Sequence, residues 1–372
     1  MNKKVYSIVL NNFTHDNRVL KENLTLKKNG FNLIIVALHE NGLPEKERVE
    51  DLPVHRIKLV SKNWSKHPII QIFKYIEFVI RVLFLYHDAD IYHCNDLNAL
   101  PIGVLVKIFF NQKAIIVYDA HEYEIERDGM NKLSRAFCHL LEGILIKTAD
   151  KVITVSKSIA IEYSKLYNIR LPYLVLNCPN YIQVKRHDLF RQELGIREDQ
   201  KIFLYQGGLS KARGLDKLLT YFSNQSNDEK VIVFMGYGPM EQEIKNCNSK
   251  NVFFHKAVNQ DVLLNYTSSA DCGIFVYDNL CKSFYYCLPN KLFEYLHAGL
   301  PVIVSNLYEL GNFVRDNKIG IVTNSTSLSD INAAISDFDK LDLNELKTNA
   351  RNIAKTHCWA EQEKILLEVY GF

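Results

Sequence analysis

Short apolar runs of strand length alternate with longer stretches of helical spacing through almost the whole chain. In the first half the runs predict strands over residues 6–10, 33–38, 55–59, 91–94, 114–119 and 151–155. A second series predicts strands over 202–205, 231–235, 252–254, 273–277, 301–304 and 320–322. Many of these runs are continuously apolar, as parallel strands covered on both faces require. Strand–helix alternation of this kind predicts α/β folds with doubly wound sheets.

Between the two series, Asn177-Cys178-Pro179-Asn180 supplies turn residues. A polar stretch over 183–200 follows, with a short helix signal over 188–194. This places a domain boundary near residue 180 and divides the chain into 1–180 (with 359–372) and 181–358. A length of 372 residues suits two domains, and 47% hydrophobic residues are enough for two cores. No internal repeat or low-complexity segment interrupts the pattern.

The segment 68–86 is mostly apolar and almost long enough to span a bilayer. Lys74, Glu77 and Arg81 interrupt it at spacings of three and four, which puts them on one helical face. The expectation is an amphipathic helix. It either packs on the first sheet or meets a membrane surface or a partner.

A net charge of +3 is too small to argue for nucleic acid as a partner. The first apolar run is too short, and lacks the small-residue cleavage site, to be a secretory signal. The eight cysteines form no C-x-x-C pair, so they read as reduced thiols of a cytoplasmic protein. Cys272, Cys281 and Cys287 lack metal-ligand spacing, and no metal site is expected.

Two segments carry candidate chemistry. The first is Gly207-Gly208-Leu209-Ser210-Lys211-Ala212-Arg213-Gly214, where a strand ends and a helix begins near Leu215. Glycines let backbone N–H groups approach phosphate oxygens, and a helix N-terminus favours the anion. Lys211 and Arg213 add cations, and arginine can grip phosphate with two parallel hydrogen bonds. An ordinary strand–helix turn with solvated basic residues has the same appearance. The second segment runs from Pro289 to Val304. Pro289-Asn290 starts a helix that Gly299 stops, and Lys291 and Glu294 share a face. A carboxylate there can accept two hydrogen bonds from a ribose diol. A surface Lys–Glu pair is the plainer alternative.

Pro289-Asn290-Lys291-Leu292-Phe293-Glu294-Tyr295 followed by Ala298-Gly299-Leu300-Pro301-Val302 resembles the donor-site signature of glycosyltransferase family 4. The Gly207–Gly214 loop resembles the diphosphate loop of the same family. Asp16–Glu22 with Lys28-Asn29-Gly30, Ala149–Ser156, and the helix from Trp359 to Tyr370 extend the likeness over nearly the whole chain.

The resemblance implies the GT-B architecture: two Rossmann-like domains facing a deep cleft, with the C-terminal helix crossing back to the N-domain. It implies a nucleoside-diphosphate sugar as donor, expected to be UDP-linked, bound by the C-domain. A glycan or lipid-linked acceptor would be bound by the N-domain, as in the synthesis of bacterial surface polysaccharide. Family members retain anomeric configuration without a bound metal or other cofactor, the sugar nucleotide being a substrate. Glu294 would bind the ribose, Gly207, Gly208, Lys211 and Arg213 the diphosphate, and Asn290 and Lys291 the phosphates or sugar.

There are two departures from the family pattern. Tyr286 stands where the family commonly has a second glutamate that contacts donor-sugar hydroxyls, and Tyr286, Tyr285 or nearby backbone is expected to bind the donor sugar in its place. Gly208 stands where many relatives carry a basic residue.

In the first half, Asp119-Ala120-His121-Glu122-Tyr123-Glu124 follows a strand. His121 matches the family's cleft histidine, and with Arg213 and Glu294 makes up the catalytic set that the resemblance implies. Glu122, Asp96 and the loop residues His15, Asp16 and Arg18 are the remaining acceptor-side candidates. Asp16 is equally placed to cap a helix. Two alternatives stay open at this point: a nucleotide-sugar epimerase of the same fold, and a noncatalytic sugar-nucleotide binder.

Overall fold

The computed structural model describes residues 3–371. They form two α/β units. One comprises the chain up to Val175 together with the residues from Glu363 on; the other is Leu176–Gln362.

The first unit holds eight strands: β1 (Lys4–Ile8), β2 (Asn32–Leu38), β3 (Lys46–Val49), β4 (Leu52–Ile57), β5 (Ile91–Asn95), β6 (Ile115–Ala120), β7 (Lys151–Thr154) and β8 (Tyr173–Leu174). Their order is β3-β4-β2-β1-β5-β6-β7-β8. Neighbours are parallel except at the β3 edge, which pairs antiparallel with β4. Five helices connect them: α1 (Asn17–Lys28), α2 (Pro68–Leu85), α3 (Leu100–Phe109), α4 (Lys132–Leu145) and α5 (Lys157–Tyr167). The step from β1 to β2 moves one way along the sheet, and the steps β4 to β5, β5 to β6 and β6 to β7 move the other way. Right-handed crossovers therefore put α1 on one face and α2, α3 and α4 together on the opposite face.

The second unit is a six-stranded parallel sheet of β9 (Lys201–Gly208), β10 (Lys230–Tyr237), β11 (Val252–Lys256), β12 (Cys272–Phe275), β13 (Val302–Val304) and β14 (Gly320–Val322). The order is β11-β10-β9-β12-β13-β14. Central strand residues such as Ile8, Ile35, Ile116, Phe203, Ile232 and Ile303 are fully buried, which is why their runs read as continuous hydrophobicity. The closing helix Trp359–Tyr370 starts in the second unit, where the Trp359 N–H donates to the Pro179 carbonyl at 2.8 Å. It ends in the first, where the Tyr370 ring meets Phe31 edge-on and its hydroxyl lies 2.7 Å from His93 Nδ1.

All twelve predicted strands are present, with ends displaced by a few residues. β3 and β8 carry no apolar run: β3 is the polar edge sequence Lys-Glu-Arg-Val, and β8 is two residues long. β9 and β10 run past their apolar cores because their register continues through Gly207 and Gly208.

The segment 68–86 forms the expected helix and packs one face on the first unit. Its charges face a neighbouring turn. Glu77 accepts from the Val60 and Ser61 N–H groups at 2.7 and 2.9 Å. Lys74 Nζ donates to the carbonyls of Lys62 and Trp64, both at 2.9 Å, and Arg81 pairs with Glu77. Phe78, Val79 and Val82 bury the inner face, which leaves the outer face apolar and exposed. Among the described residues no helix is long and apolar enough to cross a membrane.

Candidate functional site

Open α/β sheets bind ligands where strand order reverses, at the carboxyl ends of the strands. In the second unit that point is β9, with β10 on one side and β12 on the other. The loop after β9 is the predicted phosphate loop. Gly207 has φ of 113° and Gly214 has φ of 70°, both in the region that favours glycine. At Gly214 a Cβ would stand 1.9 Å from the Val276 carbonyl oxygen, so the loop can turn only with glycine there. The turn brings the Arg213 guanidinium back over Gly208, where a Cβ would lie 3.6 Å from its Cζ. Arg213 lies against the Tyr205 and Tyr277 phenols, and the Tyr205 hydroxyl donates to the Gly208 carbonyl at 2.9 Å. Lys211 sits in a short turn of 3-10 helix (Lys211–Arg213), exposed and 3.7 Å from Glu243.

The predicted donor helix is Asn290–His297. Asn290 is exposed at its first position. Lys291 is only 5% exposed and reaches the same loop, with a Cβ on Gly207 lying 3.4 Å from its Nζ. Its ammonium stands 3.7 Å from the Tyr205 ring centroid and 5.4 Å from that of Tyr277, and it has no hydrogen-bond partner among the described residues. Burial holds the Lys291 amine well below its ordinary pKa, Arg213 adds to the effect, and Glu294 opposes it. Glu294 Oε2 accepts from Gln206 Nε2 at 2.5 Å. Gln206 is in turn fixed by Thr267 Oγ1, and its N–H donates to the Tyr295 hydroxyl. Tyr286, half-buried, packs against Tyr285 and Tyr308 at centroid distances of 5.2 and 6.3 Å. Gly207, Gly208, Arg213, Lys291 and Glu294 are thus gathered at one switch point. The Arg213 guanidinium and the Lys291 amine there face glycine backbone, and a carboxylate is held by an amide.

In the first unit the strand order reverses at β1, and a buried polar cluster lies at the ends of β1, β5 and β6. Arg18, on the first turn of α1, is 4% exposed. Its Nη2 and Nε bond the two Asp119 oxygens at 2.7 and 3.0 Å, its Nη1 bonds the Val175 carbonyl, and Glu22 lies 3.1 Å away. Asp119 also accepts from His121 Nε2 at 3.1 Å. Burial would push the Asp119 carboxyl up, but Arg18 and His121 outweigh it and hold it well below the usual carboxylate range. Burial pushes the Glu22 carboxyl up to about 7 against the pull of Arg18. His121 is 18% exposed, with Asp96 3.5 Å from its Nδ1. Burial alone would lower its pKa, but Asp96 and Asp119 raise it to about 10. Asp96 itself occupies the left-handed region, φ 64°.

Glu22, His93 and Asp119 lie close enough to share one cation. The Arg18 guanidinium already bridges the two carboxylates, so the donor set fits an ion-pair network rather than a metal centre. The inward direction of Arg18 differs from its sequence role as an acceptor contact: its donors are spent in the core. Asp16 Oδ1 accepts from the Val19 N–H at 3.2 Å and so caps α1. Asp16→Ala should destabilise the first unit by about 1 kcal/mol, whereas Asp16→Asn, which keeps the cap, should leave the melting temperature unchanged. His15 and Glu122 are exposed.

Glu22, Gln206, Tyr205 and Tyr277 were not singled out from sequence, and Asp119 was read only as part of the segment around His121. Asp119 and Gln206 stand within two residues of singled-out positions, which was the available signal. Tyr277 has none, because it reaches the site only through packing.

The family model described as "Glycosyltransferase Family 4" matches residues 24–176, and the one described as "Glycosyl transferases group 1" matches residues 187–357. An uncharacterized glycosyltransferase of Methanocaldococcus jannaschii is 24% identical over 317 residues, 80% of this chain and 77% of that protein. Among solved structures, sucrose-phosphate synthase from Thermosynechococcus elongatus superposes with a TM-score of 0.79 at 16% identity, covering 99% of this chain and 98% of the other. The Anabaena protein HepE, in complex with UDP-glucose, gives a TM-score of 0.72 at 15% identity and the same coverage. At such identities the structural likeness speaks for the fold, and the two family matches together take in most of both units. The chain belongs to the family 4 glycosyltransferases of GT-B type.

Proposed function

We propose that the protein is a retaining, metal-independent glycosyltransferase that uses a UDP-linked sugar. The acceptor is a hydroxyl of a glycan or lipid-linked glycan, in bacterial surface polysaccharide synthesis. Transfer takes place at the cytoplasmic face of the membrane, where α2 makes contact. The observation that carries the donor assignment is the meeting of Arg213 and Lys291 over Gly207 and Gly208, beside a Glu294 oriented by Gln206. The two cations match a diphosphate, and the carboxylate matches a ribose diol. HepE, of the same fold, is described in complex with UDP-glucose, which favours uridine as the base.

In this reading the bond between the anomeric carbon and the diphosphate oxygen breaks while the acceptor oxygen forms its bond on the same face. The acceptor proton passes to the leaving diphosphate oxygen. Arg213 and Lys291 stabilise the charge that develops there, so no other cofactor is required.

A thermal-shift screen of UDP-, GDP-, dTDP- and ADP-sugars tests the donor, with the largest stabilisation expected from a UDP-sugar. Glu294→Ala should bind UDP about 10- to 150-fold more weakly, the loss of charge-assisted hydrogen bonding. Unchanged affinity by calorimetry would remove Glu294 from the ribose.

A further inference from the structure

The first unit carries a surface that sugar transfer does not use. On α2, Ile69, Ile72, Phe73, Ile76, Ile80 and Phe84 are 44–69% exposed. Their spacing keeps them within one stripe along the helix. On α4, Leu133, Phe137, Leu140 and Ile144 form a second stripe and are 62–84% exposed. α3 packs between the two helices, and its end adds exposed Ile108, Phe109 and Phe110. The Phe110 ring meets Phe84 edge-on at 6.4 Å, which joins the end of α3 to the α2 stripe. Crossover handedness places all three helices on the same side of the sheet. Single exposed apolar side chains are ordinary, but stripes of them along neighbouring helices on one side of a sheet are not.

Charge separates the candidate occupants. Residues 60–86, 100–113 and 131–148 hold nine Lys and Arg against two Asp and Glu, while the rest of the chain holds 36 against 40. Both of those acids are used internally. Glu77 holds the turn before α2, and Glu142 is buried among the Tyr118, Tyr163 and Tyr167 hydroxyls. Of the nearby acids, Asp150 pairs with Lys107 and Asp88 with Lys4. Lys66, Lys113, Lys132 and Lys147 stay exposed at the edges of the stripes. Apolar stripes edged by lysine suit a surface that offers hydrocarbon and negative charge together. The same excess of positive charge opposes a second copy docking face to face.

We propose that α2, the end of α3 and α4 form one platform that lies flat on an anionic lipid bilayer. The apolar stripes enter the headgroup–acyl boundary, and the lysines rest against the headgroups. This extends the α2 contact proposed above to a three-helix platform. Its test uses neither donor nor acceptor, so its failure would leave the transferase reading standing.

Flotation of the full chain with vesicles is the experiment, using phosphatidylcholine alone or mixed with phosphatidylglycerol. The protein should float with the mixed vesicles and not with phosphatidylcholine alone, and added salt should weaken the binding. Phe73→Asp on α2 and Phe137→Asp on α4 should each lower the partition coefficient about tenfold, because each removes a large apolar side chain and adds a repelled charge. A far-UV circular dichroism spectrum and a cooperative melting transition equal to wild type would report that both variants are folded. Three results would overturn the platform: wild type that stays unbound with anionic vesicles, a Phe137→Asp variant that floats like wild type, or light scattering showing a dimer that these substitutions dissociate.

Discussion

The double variant Arg213→Ala with Lys291→Met should bind UDP on the order of 10²- to 10⁴-fold more weakly than wild type, since each lost charge-assisted contact is worth about 1.5–3 kcal/mol. Lys291 makes the stronger test because its free-state environment is unfavourable. The amine is buried among aromatic rings without a hydrogen-bond partner among the described residues, and burial together with Arg213 holds its pKa well below the ordinary lysine value. Cation–π contact offsets only part of that cost. The unliganded Lys291→Met protein should therefore be no less stable than wild type, with the loss confined to binding. An arriving diphosphate puts anionic oxygens beside the amine and raises its pKa. Between the free and the bound pKa, binding must bring a proton with it. Calorimetry of UDP binding in buffers of different ionisation enthalpy, repeated across pH, should find a window of proton uptake in wild type that is missing in Lys291→Met. Wild-type affinity in both single variants and the double would remove the loop from the donor site.

The buried strands and the turn after β9 were legible because both depend on local signals. Continuous apolar runs announced the buried strands, and glycines with basic residues announced the turn after β9. β3 escaped because an edge strand exposes its side chains and need not be apolar. α2 shows a different limit. Spacing correctly put Lys74, Glu77 and Arg81 on one face, but periodicity does not say which way a face points. The turn at Val60–Asn63 decides that by docking its N–H groups on Glu77, and this contact spans sixteen and seventeen residues. The buried partners of the sites are hidden for the same reason. Arg18 and Asp119 are 101 residues apart in sequence, and Gln206 and Glu294 are 88 apart. Each is an ordinary charged or amide residue until the sheets bring the pair together.

The same long-range assembly sets the behaviour of His121. His121→Ala should lower kcat on the order of 100-fold, within the range of a positioned acid–base or charge-bearing side chain, while leaving UDP affinity near wild type. A larger loss in UDP affinity than in kcat would place His121 on the donor instead. The pH dependence follows from its neighbours. Burial would lower the imidazole pKa, but Asp96 and Asp119 raise it to about 10, so His121 is an imidazolium throughout the neutral range. Asp119 is a poor residue to remove, because Arg18 would be left buried and unpaired. Asp96→Asn is cleaner. Asparagine tolerates the left-handed backbone at this position, and its side-chain oxygen can still accept from the His121 N–H. What it loses is the negative charge 3.5 Å from Nδ1. The imidazole should then titrate about 1 pH unit lower by NMR, in line with the effect of one nearby carboxylate. If turnover depends on the imidazolium, the alkaline limb of kcat should move down with it. A limb that stays in place while the NMR titration shifts would show that His121 acts through position rather than charge.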